Sequence, residues 1–189
     1  MKKLIIMISL FLSLQGCFFV AGAAAGAAGV AIVYDHRKFQ NILKDQQITK
    51  SASDRIAANR ELHENNHIEV TCFNQIVLLT GETTSEEQRQ QAEDIARSVP
   101  DVTKIYNEIT IKGPTSALTR ASDTWITTKI KTEMLATQDL KSGTIKVVTE
   151  NGNVYLMGIV NQEQADMAVE IARKVAGVQR VVKIFQYRN

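Results

Sequence analysis

An internal repeat constrains this chain more than any other feature. Asp45-Gln-Gln-Ile48-Thr49 lines up with Asp123-Thr-Trp-Ile126-Thr127, and Val70-Thr-Cys-Phe-Asn74 with Val147-Val-Thr-Glu-Asn151. Val77-Leu-Leu79-Thr-Gly81 matches Val154-Tyr-Leu156-Met-Gly158, and Ile95-Ala-Arg97-Ser-Val99 matches Ile171-Ala-Arg173-Lys-Val175. The offset is 78, then 77, then 76, so the register survives with two single-residue gaps. Similarity kept at a fixed spacing marks two copies of one structural unit.

Each copy carries the same signals in the same order. A helix opens it, with apolar residues four apart: Ile48, Ala52, Ile56 and then Ile126, Ile130, Met134. A hairpin follows, and Asn151-Gly152 is its turn in the second copy. The flanking strands are expected near Ile145 to Thr149 and Val154 to Gly158. In the first copy Gln75-Ile76 stands where Gly152-Asn153 stands in the second, which weakens the turn signal there. A second helix is expected over Ser85 to Val99 and over Glu163 to Val175, and a last strand over Thr103 to Ile111 and Gln179 to Tyr187. The order α-β-β-α-β predicts an α+β fold: two tandem units, each a three-stranded mixed sheet with two helices on one face. Residues 41–112 form the first unit, 113–117 the linker around Gly113-Pro114, and 118–189 the second unit.

These residues resemble a known family. A valine-rich strand ending in glycine, an Ile-Ala-Arg helix and the close Gly177-Val178-Gln-Arg-Val181 are similar to the BON domain, most closely in the second unit. The resemblance implies that this is not an enzyme. It also implies that a helix of the second unit binds anionic, phosphatidylglycerol-like phospholipid and supports outer-membrane integrity. Two such units behind a lipidation signal resemble the outer-membrane lipoproteins associated with cell division and envelope stress.

That signal lies at the N-terminus. Lys2-Lys3 precede the apolar run Leu4 to Leu14, and Leu14-Gln15-Gly16-Cys17 follows. A basic start, a short apolar core and a small residue before the cut form a secretory signal. The box resembles the one read by bacterial lipoprotein signal peptidase. Residues 1–16 are then a signal peptide, and Cys17 becomes the first residue of a 173-residue mature chain bearing palmitate-type acyl chains. Phe18, not aspartate, follows it, which resembles lipoproteins sent on to the outer membrane, facing the periplasm. Residues 17–40 hold the lipidated cysteine and an Ala/Gly-rich tether. Leu4 to Val33 carries no charge and is long enough for a span, but cleavage leaves only weakly apolar Phe18 to Val33. The net charge of +2 equals Lys2 and Lys3, so the mature chain is neutral. Cys72 is the one other cysteine; it sits in an apolar run and reads as a buried, inert thiol.

Trp125 is the single tryptophan. At 100° per residue it lies roughly 140° from the centre of the Ile126, Ile130, Met134 stripe. Thr128, Lys129, Thr132 and Leu135 fall within about 80° of it. The first copy has Gln47 in its place. An outward indole beside lysine and leucine suits a membrane interface. The candidate phospholipid-binding residues are therefore Trp125, Thr128, Lys129, Thr132 and Leu135. The competing reading is an adaptor whose Trp125 fills a protein or inter-domain interface. Residues 118–189 hold ten Lys/Arg against seven Asp/Glu, and residues 41–112 eight against twelve. An anionic surface attracts the second unit, with Lys129, Lys131 and Arg120 as the candidate charges.

His63-Glu64-Asn65-Asn66-His67 matches the H-E-x-x-H pattern of zinc peptidases. That chemistry needs both imidazoles on one helical face, whereas Asn65-Asn66 breaks helix and Ile68-Glu-Val70 starts a strand. The segment is expected to be a loop, with no metal, cofactor or catalytic residue assigned. Nucleic-acid binding lacks a basic excess.

The N-terminal reading makes a direct prediction. Cys17→Ala should abolish acylation and cleavage at residue 17, because only a thiol accepts the diacylglyceryl group. Mass spectrometry of the mature N-terminus checks it, and an unmodified end within Ala21 to Ala31 would refute it.

Overall fold

The computed structural model describes residues 39–63 and 66–188. Cys17, the signal segment and the Ala/Gly stretch lie outside the described residues. In the first repeat, α1 (Phe39–Ala58) leads through a short α2 (Arg60–His63) into β1 (His67–Phe73) and β2 (Ile76–Thr83), then α3 (Glu86–Arg97), β3 (Lys104–Asn107) and β4 (Thr110–Ile111). In the second, α4 (Ala117–Ala136) is followed by a 3-10 turn at Ser142–Thr144, β5 (Ile145–Glu150), β6 (Asn153–Val160), α5 (Gln162–Lys174) and β7 (Arg180–Tyr187). Phe39 and Gln40 are already helical, so α1 extends at least two residues ahead of the expected start of the first unit.

The architecture is α+β with two mixed sheets. β1 pairs antiparallel with β2, and β5 with β6, while β3 and β4 run parallel to β2 and β7 runs parallel to β6. The first repeat's last strand differs from the single run expected over Thr103 to Ile111. It breaks at Glu108-Ile109, although β3 and β4 keep one register on β2. The Asn107 side chain causes the break: its amide donates to the Arg89 carbonyl and Glu93, and its oxygen accepts the Ile109 N–H. Ile109 is then buried against the helices.

Each sheet packs its helices on one face. Ile48, Ala52 and Ile56 of α1 meet Val77 and Leu79 of β2 and Ala92 and Ala96 of α3. Ile126, Ile130 and Met134 of α4 likewise meet Val154, Leu156, Ala165, Ala168 and Ala172. The alternate residues of β2 and β6 point the other way, and there the two sheets meet. Phe73, Ile76, Leu78, Tyr155, Met157 and Ile184 form a third core between the repeats. The repeats therefore build four layers, helices, sheet, sheet, helices. The central strand β2 is buried at every residue, as a strand covered on both faces must be.

A buried aspartate ties helix to hairpin in each repeat. Asp45 of α1 accepts the Asn74 and Gln75 N–H groups at 2.7 and 2.9 Å. Asp123 of α4 accepts the Asn151 and Gly152 N–H groups, both at 2.8 Å. Both turns have positive φ at two successive residues, 49° and 65° at Asn74 and Gln75, 50° and 72° at Asn151 and Gly152. The first hairpin is thus a tight turn like the second, with glutamine held where glycine is preferred. Glycine is required instead at Gly81, at φ 111°, where a Cβ would sit 1.9 Å from the His67 carbonyl oxygen.

Two substitutions test this clamp in urea unfolding. Asp123→Ala leaves two turn N–H groups without their carboxylate and should cost about 3 kcal/mol. Gln75→Gly relieves the left-handed strain and should stabilise by roughly 1 kcal/mol.

Candidate functional site

α4 is a helix because of its packing rather than its composition. Threonines at 119, 124, 127, 128 and 132 are weak helix formers. Ser116 caps the first turn by accepting the Thr119 N–H at 3.2 Å, and the Ile126, Ile130, Met134 stripe locks the inner face onto β5 and β6. The outer face is consequently fixed. Trp125 is 54% exposed, Leu135 69% and Leu118 81%. Leu118 lies seven residues before Trp125, roughly in line with it on the helix. Sequence reasoning missed Leu118, although the same wheel contains it. The joint between repeats is made by the sheet faces, and Trp125 is not among its residues.

Thr128, Lys129 and Thr132 are exposed around Trp125. The threonine hydroxyls face inward along the helix: Thr124 donates to the Arg120 carbonyl at 2.9 Å, Thr128 to Thr124 at 2.8 Å and Thr132 to Thr128 at 2.9 Å. Satisfied hydroxyls leave methyl groups as the outward chemistry of these positions. Lys129 lies 3.2 Å from Glu133 one turn on. Arg120 donates to the Thr115 carbonyl at 2.6 Å, which holds it at the start of α4. Lys131 is exposed on the same helix.

The H-E-x-x-H residues do not share a helical face. His63 ends α2, and His67 opens β1, where its Nε2 is 3.5 Å from Glu69. The segment expected as one loop thus spans a helix end and a strand start. Cys72 is buried and donates to Asp45 at 3.4 Å; burial, and then the nearby Asp45 charge, push its thiol up to about 12.

A pair of glutamates crosses the joint near the base of α4. Glu82 of β2 is 0% exposed and Glu150 of β5 is 7% exposed. The Asn151 amide donates to both carboxyl groups. Glu82 also accepts the Thr115 N–H at 3.3 Å, just before the α4 cap, and lies 3.8 Å from the Lys112 ammonium. Burial, then the charges of Glu82, Glu69 and Asp123, raise the Glu150 carboxyl to about 7. No sequence periodicity marks this pair, because its members come from different repeats.

The BON domain profile matches residues 44–113 and again 122–189. With two α-β-β-α-β sheets and their helices in place, the chain belongs to the BON domain family. Outer membrane lipoprotein DolP of Haemophilus influenzae is 30% identical over 187 residues, 99% of this chain and 96% of that protein. The 21 kDa hemolysin of Actinobacillus pleuropneumoniae is 35% identical over 153 residues, 81% of this chain and 79% of its own length. Osmotically-inducible protein Y of Escherichia coli is 29% identical over 158 residues, 82% of this chain and 78% of that protein.

The glutamate pair predicts a pH dependence. Burial raises the folded-state pKa of Glu150 above the ordinary glutamate value, so its contribution to stability is complete below about pH 4.5 and is lost as pH rises through about 7. Glu150→Gln should remove this slope and, at pH 8, stabilise by on the order of 2 kcal/mol. Melting temperatures of both proteins from pH 4.5 to 8 measure it.

Proposed function

We propose that this chain is a lipid-anchored protein of the outer membrane, facing the periplasm, and that the outer face of α4 binds anionic phospholipid of the phosphatidylglycerol kind. One observation carries the reading: Leu118, Trp125 and Leu135 stand exposed along one helix whose intervening threonine hydroxyls are already bonded to its backbone. An apolar surface at a membrane interface must leave no hydroxyl unpaired, since an unpaired polar group costs free energy once water is excluded. The threonines of this face meet that condition. The indole then rests at headgroup depth, the leucines enter deeper, and Lys129 and Lys131 add attraction to the anionic surface.

The remaining parts fit that role. Acylated Cys17 supplies location, and binding rather than catalysis is the activity, in support of membrane integrity. Among the described residues no helix is long and apolar enough to cross a membrane; in this reading the anchor and the α4 face divide the work of attachment. The relatives named outer membrane lipoprotein and hemolysin support an envelope setting. The adaptor reading has an inter-domain form and a protein-interface form. The sheet-to-sheet joint disfavours the first, and the vesicle experiment below decides the second.

Trp125→Glu should weaken binding to phosphatidylglycerol vesicles by roughly tenfold, equivalent to about 1.4 kcal/mol, with the melting temperature unchanged. Lys129→Ala should act in the same direction and less, since Glu133 already pairs with it. Gln47→Glu, at the equivalent exposed place on α1, should do little. Co-sedimentation of the acyl-free protein at low and high salt measures all three. Binding that survives Trp125→Glu transfers the helix face to a protein partner.

A further inference from the structure

A cleft of about 310 Å³ lies against α4 on the flank next to Trp125, near the lower end of the size range of ligand sites. Both repeats build it. Thr110 and Lys112 come from the end of the first, and Ser122, Asn153, Gly177 and Gln179 from the second. The first repeat has a hollow at the matching place, lined by Lys44, Gln47 and Asp101. There a Lys44–Asp101 ion pair at 3.2 Å joins helix to turn. The corresponding residues of the second repeat are Ser122 and Gly177. The joining pair is gone, and an open space lies on the flank of α4 next to the one tryptophan.

We propose that this cleft receives the polyol end of a phospholipid headgroup while α4 rests on the membrane. The inference builds on the α4 reading and adds a specificity to it. The side chains of Ser122, Asn153 and Gln179 line the cleft, so three neutral donor–acceptor groups are available to hydroxyls. The charge below the cleft argues against a phosphate inside it. The Asp123 carboxylate lines it, and the Asn151 amide leads on to Glu82 and Glu150. Lys112 is the one cation of the lining, and it already lies 3.8 Å from Glu82. A neutral, hydroxylated group fits such a lining, whereas an anion is repelled from it. The phosphodiester therefore stays at the rim and the terminal glycerol enters. Charge attracts the protein to any anionic membrane, and the cleft distinguishes glycerol headgroups from bare phosphate.

The test uses residues 37–189, which form one compact unit. Vesicles containing phosphatidylglycerol or phosphatidic acid are matched for surface charge, and their affinities are compared as a ratio. The expected ratio favours phosphatidylglycerol by about fivefold. Gln179→Leu and, separately, Asn153→Ala should bring it to about one. Soluble glycerophosphoglycerol should shift the amide signals of Ser122 and Gln179, and inorganic phosphate should not. A wild-type ratio of one overturns the cleft and leaves the α4 reading standing. Binding to neither vesicle overturns both. A ratio that persists in both variants, with their melting temperatures intact, also refutes the cleft.

Discussion

The buried aspartate at the start of each repeat's first helix is the interaction on which the other features depend. A carboxylate removed from water is costly unless charge or hydrogen bonds compensate it. Asp45 and Asp123 receive that compensation from two turn N–H groups each. The same bonds fix where the hairpin stands relative to the helix, and hence which residues of β2 and β6 face the helices. The opposite residues of those strands are then committed to the other face, where the two sheets meet. The outward direction of Trp125 follows too. It sits two residues after Asp123 and one before Ile126, so neither neighbour can turn inward without turning it outward.

Much of this was legible in the sequence, for a definite reason. Local periodicity records which side of a helix is buried, and Ile126, Ile130 and Met134 are buried as their spacing requires. The aspartates were visible as the first letters of the aligned motif, but spacing along a chain does not reveal a bond between a helix and a turn nearly thirty residues away. The packing of sheet on sheet did leave a trace. Val77-Leu78-Leu79 and Val154-Tyr155-Leu156-Met157 are apolar at every residue, where a strand with one wet face would alternate. Gln75 misled in the opposite sense. A turn that prefers glycine formed without one, because the Asp45 clamp offsets the strain. The lipidation signal and the α4 binding role are readings of a different kind, resting on motif and surface chemistry.

The joint itself is uneven. Its centre is apolar, with Leu78, Tyr155 and Met157 buried together. Its margin is polar, where Asn74 donates to Gln186 at 2.8 Å, Arg180 meets Glu108 at 2.9 Å and Lys146 meets the Cys72 carbonyl at 3.4 Å. Interfaces between partners share this plan of dry centre and wet rim. The glutamate pair departs from it by placing two carboxyl groups inside. That location disfavours the charge of Glu150, and it adjoins the segment that starts α4.

The unevenness follows from the repeats being joined in one chain. Asn74 and Asn151 are equivalent, and each reaches across to the other repeat, so exchanging the copies carries one contact onto the place of the other. In a dimer of identical chains such an interface must be self-complementary, and every residue in it is used twice. Here Phe73 and Ile159 both lie in the apolar joint, while their counterparts Glu150 and Glu82 form the acidic pair. A symmetric dimer of either repeat would carry two identical ends, each pairing one apolar residue with one acidic one. Covalent linkage lifts that requirement, and one end can hold the molecule together while the other responds to protons.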